Sequence, residues 1–413
     1  MQKILFIGTV WPEPESTAAG KRILQLIEQF QSNNFEVFFA SAAAFGEFSF
    51  DLKSINVSTF PINLNDSDFD EIITKLNPDF VVFDRFMTEE QYGWRVAENC
   101  PRAIKILDTE DLHFVRNTRF ENFKSKRNTE NSDFLNSELA KREIASIYRC
   151  DVSLIISEVE MEILTNIFKI DSKILLYLPF LLNEINENNF EYFPSFAERQ
   201  NFISIGNFRH EPNWNTVLYL KETVWPLISS KLNNAEMHIY GSYVTQKAMQ
   251  LNNPKERFFI KGRAENAQKV IANARVLLAP IRFGAGIKGK LTDAMQFGTP
   301  SVTTSIGAES MCGNFAWNGQ ITNNENDFAN TAIELYLNEN IWKTAQNNGI
   351  NIVNNRYSKK VFGTILISTI LEIKSNLNNH RTSNFLGNLL QHQTLNSNKY
   401  FSKWIEEKNK KIL

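Results

Sequence analysis

Twice along this chain a train of short runs rich in Val, Ile and Phe alternates with longer segments of helical periodicity, and the train restarts near residue 201. In the first half, the runs at residues 3–7, 35–40, 79–83, 103–107 and 152–156 are too short for helices and end in polar or small residues. They read as buried strands. Between them, residues 20–31, 67–76, 88–98 and 132–149 have the spacing of helices. A strand that pairs in parallel with its predecessor needs a long crossover, and these helices supply it, so the pattern predicts a parallel sheet covered on both faces. The second train has strands at 202–206, 236–240, 258–261, 276–280 and 301–304, with helices at 214–231, 264–274, 288–297 and 326–338. Two trains in 413 residues imply two domains. The expected boundaries are a first domain over 1–182, a polar linker over 183–200, a second domain over 201–374 and a polar, basic, helical tail over 375–413. The fold class is α/β, two Rossmann-like domains facing each other across a cleft. Open parallel sheets bind ligands at the carboxyl ends of their strands.

Composition narrows the function classes. Hydrophobic residues make up 43% and charged residues 22%, as in globular proteins, and the net charge of -2 gives no overall basic field for nucleic acid. Cys100, Cys150 and Cys312 are scattered, without a C-x-x-C pair, so neither a disulfide framework nor a zinc cluster is expected. The apolar run at 3–8 is too short for a signal peptide, and no stretch approaches the length of a membrane span. A cytoplasmic protein is expected. The tail leaves two readings open. Its amphipathic piece at 385–390 and basic end at 403–411 suit a solvated helix, or one docked on the first domain or at the anionic inner face of a membrane.

The chemistry concentrates in residues 279–300, APIRFGAGIKGKLTDAMQFGTP. A strand ends at Pro280, and Gly284, Gly286 and Gly289 let the backbone of the next loop approach a ligand closely. The helix that follows should stop at Gly298, with Pro300 beyond. Its first turn carries Lys288 and Lys290, where positive charge is unfavourable unless an anion is near. Free N–H groups at the same helix start favour that anion. A pyrophosphate reconciles these features. The Walker A spacing is absent. Asp293 lies about a turn into the helix, where a carboxylate can accept both hydroxyls of a ribose.

The string GAGIKGKLTDAMQFGTPSVTTSIGAES, residues 284–310, resembles the donor-binding region of the retaining group 1 (family 4) glycosyltransferases of GT-B fold. A Glu-x7-Glu motif usually spans this region. Its second acid corresponds to Asp293 and its first falls at Ala285, a departure shared with a G-A-G-I-K-G-K branch. The resemblance assigns donor binding to Gly284, Gly286, Ile287, Gly289, Lys290 and Asp293. Residues 202–215, FISIGNFRHEPNWN, resemble the opening strand and loop of the same domain, which adds Gly206 and Asn207, with Arg209 gripping the diphosphate. Asn213 stands near the place of the family's usual lysine, so Lys288 is the expected second cation. Arg263 falls where the base-binding loop lies, and His210 reads as a turn residue.

In the first domain, the long loop 8–22 lacks the G-x-G-x-x-G of dinucleotide binders. It resembles the family's acceptor-side loop, with Gly20 and Lys21 as its candidates. Lys21 and Arg22 also crowd a helix start, which hints at an anion. The segment 107–116, LDTEDLHFVR, places Asp108 and His113 at a strand's carboxyl end, where they would face the sugar or orient the acceptor. Glu110 and Asp111 have metal-ligand chemistry, but no second cluster accompanies them, and neither metal nor cofactor is expected. Ser157 and Glu160 form a capping box, to which no chemistry is assigned.

The resemblance implies transfer of a glycosyl group from a nucleotide diphosphate sugar to a hydroxyl of a glycan or lipid-linked acceptor. Retention at the anomeric carbon and a place in polysaccharide or glycoconjugate synthesis come with it. A nucleotide-sugar epimerase or phosphorylase on the same fold, or a non-catalytic nucleotide-sugar-binding protein, would share the phosphate loop.

Overall fold

The computed structural model describes residues 1–186 and 193–392, with 397, 400–402, 404, 405 and 408 of the tail. The first sheet is formed by β1 (Gln2–Gly8), β2 (Phe35–Ser41), β3 (Ser58–Pro61), β4 (Phe80–Asp84), β5 (Ile104–Asp108), β6 (Val152–Ile155) and β7 (Leu175–Tyr177). All are parallel, in the order β3-β2-β1-β4-β5-β6-β7. The second sheet holds β8 (Gln200–Ile205), β9 (Met237–Tyr240), β10 (Phe258–Gly262), β11 (Ala274–Ala279), β12 (Ser301–Thr303) and β13 (Gly319–Ile321), also parallel, in the order β10-β9-β8-β11-β12-β13. Alternate residues of one strand serve the two faces of its sheet. Leu5 and Ile7 join one buried cluster with Val81 and Phe83, while Ile4 and Phe6 join another with Phe80 and Val82. Both faces are covered, as expected for a parallel sheet.

The strands missing from the sequence reading are β3, β7 and β13. All three sit at sheet edges and are three or four residues long. Their side chains are half-exposed, so the continuous apolar run that marks a buried strand is absent. The expected helix 132–149 is two helices, Asn131–Leu135 and Glu138–Arg149, because Ser137 caps the second by accepting from Ala140 N–H at 3.3 Å. The expected helix 214–231 is interrupted by a wide turn at Leu220–Val224, just before Pro226, which has no N–H to give.

One domain boundary needs correction. Helix Lys359–Ser375 lies within the expected second domain, yet Leu366, Ile367, Ile370 and Ile373 are buried in the first domain's core. The chain therefore crosses between domains twice, and the two crossings lie side by side. Leu182 N–H donates to Tyr357 O, and Lys359 N–H donates to Leu182 O, both at 2.8 Å. The tail continues along the first domain as Leu377–Ser383 and Phe385–Gln391. Residues 187–192 of the linker and most of the basic end 403–411 lie outside the described residues.

Candidate active site

A cavity of about 430 Å³ lies between the carboxyl ends of the two sheets. Its second-domain wall comes from the turns after β8 and β11. Gly206, Asn207 and Arg209 line it from the first turn, and Gly284, Ile287, Lys288, Gly289, Lys290 and Asp293 from the second. Gly206 packs so closely on Asn213 that a Cβ would stand 2.7 Å from its amide carbon. Helix Gly289–Gln296 begins at the cavity and ends at Gly298, whose φ of 65° fits the expected left-handed cap.

The two lysines differ in role. Lys288 is the residue before the helix, and its ammonium folds back onto the carbonyls of Gly286 (2.7 Å) and Ala285 (3.2 Å), bracing the loop. Lys290 donates to Asn213 Oδ1 at 2.8 Å. Among the described residues no carboxylate lies within 4 Å of its ammonium, and burial pulls its pKa down to about 8. The cation beside Asn213 is thus Lys290, while Lys288, the cation the sequence suggested for the diphosphate, lines the cavity with its ammonium on the loop carbonyls. Arg209 reaches the cavity with its guanidinium 4.0 Å above the Tyr243 ring, and Tyr243 in turn donates to Glu13 at 2.7 Å. Asp293 accepts from Lys21 at 2.6 Å across the cleft.

The first-domain wall combines the loop from Pro14 to Lys21, Ile156 and Phe180 with a cluster of charged side chains. Arg85 follows β4, while Glu110, Asp111, His113 and Arg116 follow β5. Arg85 and Glu110 both hold positive φ, 71° and 65°, uncommon for residues with long side chains and found disproportionately at functional sites. Arg85 Nε stands 3.4 Å from Glu110 Oε2 without hydrogen-bond geometry. Burial, opposed by Arg85, raises the Glu110 carboxyl to about 7. Burial pushes Asp111 up, but Arg116, which donates to it at 2.6 Å, together with the neighbouring His113 and His210 holds it below the usual carboxylate range. Burial holds His113 down to about 4, so it is neutral at pH 7, with Nε2 buried, without a hydrogen bond and 3.6 Å from Asp111 Oδ1.

Several expected residues are placed elsewhere. Asp108 does not reach the cavity: it is fully buried and accepts from Arg22 Nε at 2.8 and 3.1 Å. Arg22 also donates to the carbonyls of Leu178 and Pro179, so the anion hinted at by Lys21 and Arg22 is supplied by Asp293 and Asp108. Gly20 sits behind the lining, where a Cβ would be 2.5 Å from the Glu13 backbone. Arg263 stacks on Phe48 at 4.4 Å, outside the lining. Gly286 also stands back from the lining, pressed against the first domain.

Sequence reasoning missed Arg85 and Glu160. Arg85 could have been found from its place just past the carboxyl end of β4, where such sheets put their functional groups. Glu160 does take the capping bond to Ser157 (3.2 Å), but its buried Oε1 also accepts from Leu112 N–H and Gly286 N–H, both at 3.0 Å. It joins the two domains behind the cavity. Arg119 reinforces this by donating to Gly284 O at 2.8 Å and to Glu309 at 2.7 and 2.9 Å.

Residues 199–338 match the family model described as glycosyl transferases group 1. Comparison with curated protein sequences gives no match. Among solved structures, TarM of S. aureus, in complex with fondaparinux, alpha-GlcNAc-glycerol and UDP, has a TM-score of 0.68 at 12% identity, over 91% of this chain and 100% of its own. Sucrose-phosphate synthase of Thermosynechococcus elongatus has a TM-score of 0.67 at 13% identity, over 91% and 100%. HepE of Anabaena, in complex with UDP and glucose, has a TM-score of 0.66 at 11% identity, over 90% and 100%. At such identities these likenesses establish the fold, and the family match covers the domain that carries the glycine loop 284–289. The chain is a glycosyltransferase of GT-B architecture whose second domain is of the group 1 type.

Proposed function

We propose that the cavity binds a nucleotide diphosphate sugar against the second-domain wall and transfers its sugar, with retention, to a hydroxyl of a glycan or lipid-linked acceptor entering from the first. The observation that carries this reading is Lys290, an amine held in the cavity on a neutral amide with no carboxylate within 4 Å among the described residues. A diphosphate supplies the missing charge, and the start of helix Gly289–Gln296 adds its N–H groups. Arg209 forms the second cationic arm and Asp293 takes the ribose hydroxyls. UDP in the TarM and HepE complexes is in keeping with such a ligand.

In this reading the bond from the anomeric carbon to the diphosphate oxygen breaks while a bond to the acceptor oxygen forms on the same face. The acceptor proton passes to the departing phosphate. Lys290, Arg209 and the helix start stabilise the charge growing on the leaving group, the term that commonly dominates such catalysis. His113, neutral at pH 7, offers its Nε2 to a sugar hydroxyl. Polysaccharide or glycoconjugate synthesis is the corresponding role. The test is thermal stabilisation by a panel of nucleoside diphosphates and their sugars, followed by product analysis with and without acceptor. Lys290→Ala should lower transfer by about 10²–10³-fold and abolish the stabilisation with the fold intact. If no nucleotide stabilises the protein at millimolar concentration, the reading fails. Isomerised donor without acceptor would point instead to an epimerase.

A further inference from the structure

The C-terminal tail exposes apolar side chains that nothing in the cavity chemistry uses. Helix Phe385–Gln391 is fixed on the first domain: Asn384 donates to Tyr148 O at 2.8 Å, Gln391 donates to Arg149 O at 3.1 Å, and Gly387 is buried against Tyr148 O. With its back held in this way, Phe385, Leu386 and Leu389 project outward, 70%, 49% and 54% exposed. Their spacing of i, i+1 and i+4 puts them on one face. A second one-sided set, spaced i, i+3 and i+4, follows at Phe401, Trp404 and Ile405, which are helical and exposed, with the Phe401 and Trp404 rings stacked at 5.9 Å. The Lys408 ammonium sits 5.2 Å from the Trp404 ring. Residues 399–411 contain five lysines and two glutamates, in a chain whose net charge is -2.

We infer that this tail is a docking surface for an anionic lipid bilayer. Exposed aromatic and aliphatic side chains set among lysines fit the boundary between headgroups and acyl chains, where rings insert and ammonium groups meet lipid phosphates. A second copy of the chain is a poorer occupant, because pairing tail against tail brings two lysine-rich segments together. The surface is separate from the cavity, since no tail residue lines it, so docking leaves the nucleotide site open. The inference rests on exposure and charge alone and stands or falls independently of the donor reading.

The experiment is vesicle flotation of the full chain, with phosphatidylcholine vesicles and with vesicles containing phosphatidylglycerol. The chain should float with the anionic vesicles only and be released by high salt. Phe401→Glu combined with Trp404→Glu should cut the floating fraction by roughly tenfold, leaving the melting temperature and nucleotide stabilisation unchanged. Three results would overturn the inference: a chain that stays in solution with anionic vesicles, flotation indifferent to lipid charge or to the double substitution, or a concentration-dependent dimer that the double substitution dissolves.

Discussion

The two walls of the cavity are built by different means. The second-domain wall is mostly backbone: glycine turns, a helix start and two lysines, drawn from two contiguous segments. The first-domain wall adds to its loop 14–21 a cluster of charged side chains, with Arg85, Glu110, Asp111, His113 and Arg116 held by one another and by buried carboxylates behind them. Glu143 accepts from His113 and Phe114 N–H at 3.1 and 3.0 Å, and Glu160 accepts from Leu112 N–H, so the first turn of helix His113–Lys124 is capped by two buried acids. The second domain offers its helix start to a ligand, whereas the first closes its own. In the proposed function that difference gives the anion to one wall and hydroxyl chemistry to the other.

Gly286 is where the walls touch, and breaking that contact should have the largest effect. Its φ of 62° suits glycine, and a Cβ there would stand 2.8 Å from Asp111 Cβ of the opposite domain. Gly286→Val should hold the cleft open and misplace donor and acceptor by an ångström or more, lowering kcat/KM by about 100-fold. Small-angle scattering should show a larger radius of gyration at unchanged helix content. A variant of undiminished rate and radius would mean that closure at Gly286 does not set the reacting geometry.

The same division explains what the sequence disclosed. The alternation of strands and helices, the glycine loop before helix Gly289–Gln296 and the Gly298 cap are local patterns, and the structure holds each of them. The edge strands were hidden because segments of three or four residues, mostly half-exposed, carry no pattern. What was hidden is the partners of Lys21 and Arg22, because they are remote: Lys21 meets Asp293 across 272 residues and Arg22 meets Asp108 across 86. A helix start crowded with cations implies an anion, but local sequence does not say whether ligand or protein provides it. Asp108, picked for its place at a strand end, is taken up by Arg22. The family match, confined to residues 199–338, likewise falls on the locally patterned half.

Titration should separate the walls by sign. Glu160 and Glu143 are raised to about 8, chiefly by burial, from an ordinary value near 4.5. Between those values the folded protein keeps protons that the unfolded chain has lost, so stability falls as pH rises through the window. Below about 6.5 the depressed His113 and His210 act the other way, so the carboxylates are best read from pH 6.5 to 8. Lys290 titrates at about 8 rather than near 10.5, so its wall gains stability as pH rises between those values. Glu160→Gln, which mimics the protonated acid, should flatten the fall and raise the melting temperature at pH 8 by roughly 2–4 °C. An unchanged slope from pH 6.5 to 8 would show that Glu160 is ionised in the folded protein. On the other wall, nucleotide binding at pH 8–9 should take up protons. Calorimetry in buffers of different ionisation enthalpy measures this, and Lys290→Ala should abolish it.

The smallest effect is expected where the walls exchange a charge directly. Lys21 and Asp293 meet at 2.6 Å, and with side chains 28% and 15% exposed the pair contributes less than about 1 kcal/mol to stability. Lys21→Met should therefore leave the melting temperature nearly unchanged. Its effect on nucleotide affinity is more informative, because Lys21 occupies the Asp293 oxygen that the donor reading gives to the ribose. Freed of Lys21, Asp293 should bind nucleotide as tightly as before or a few-fold tighter, whereas Asp293→Asn should weaken binding by about tenfold through loss of a charged acceptor. Titration calorimetry on the two variants decides between them. If Lys21→Met weakens binding more than Asp293→Asn does, the anion is held from the first domain, and the division of labour between the walls is wrong.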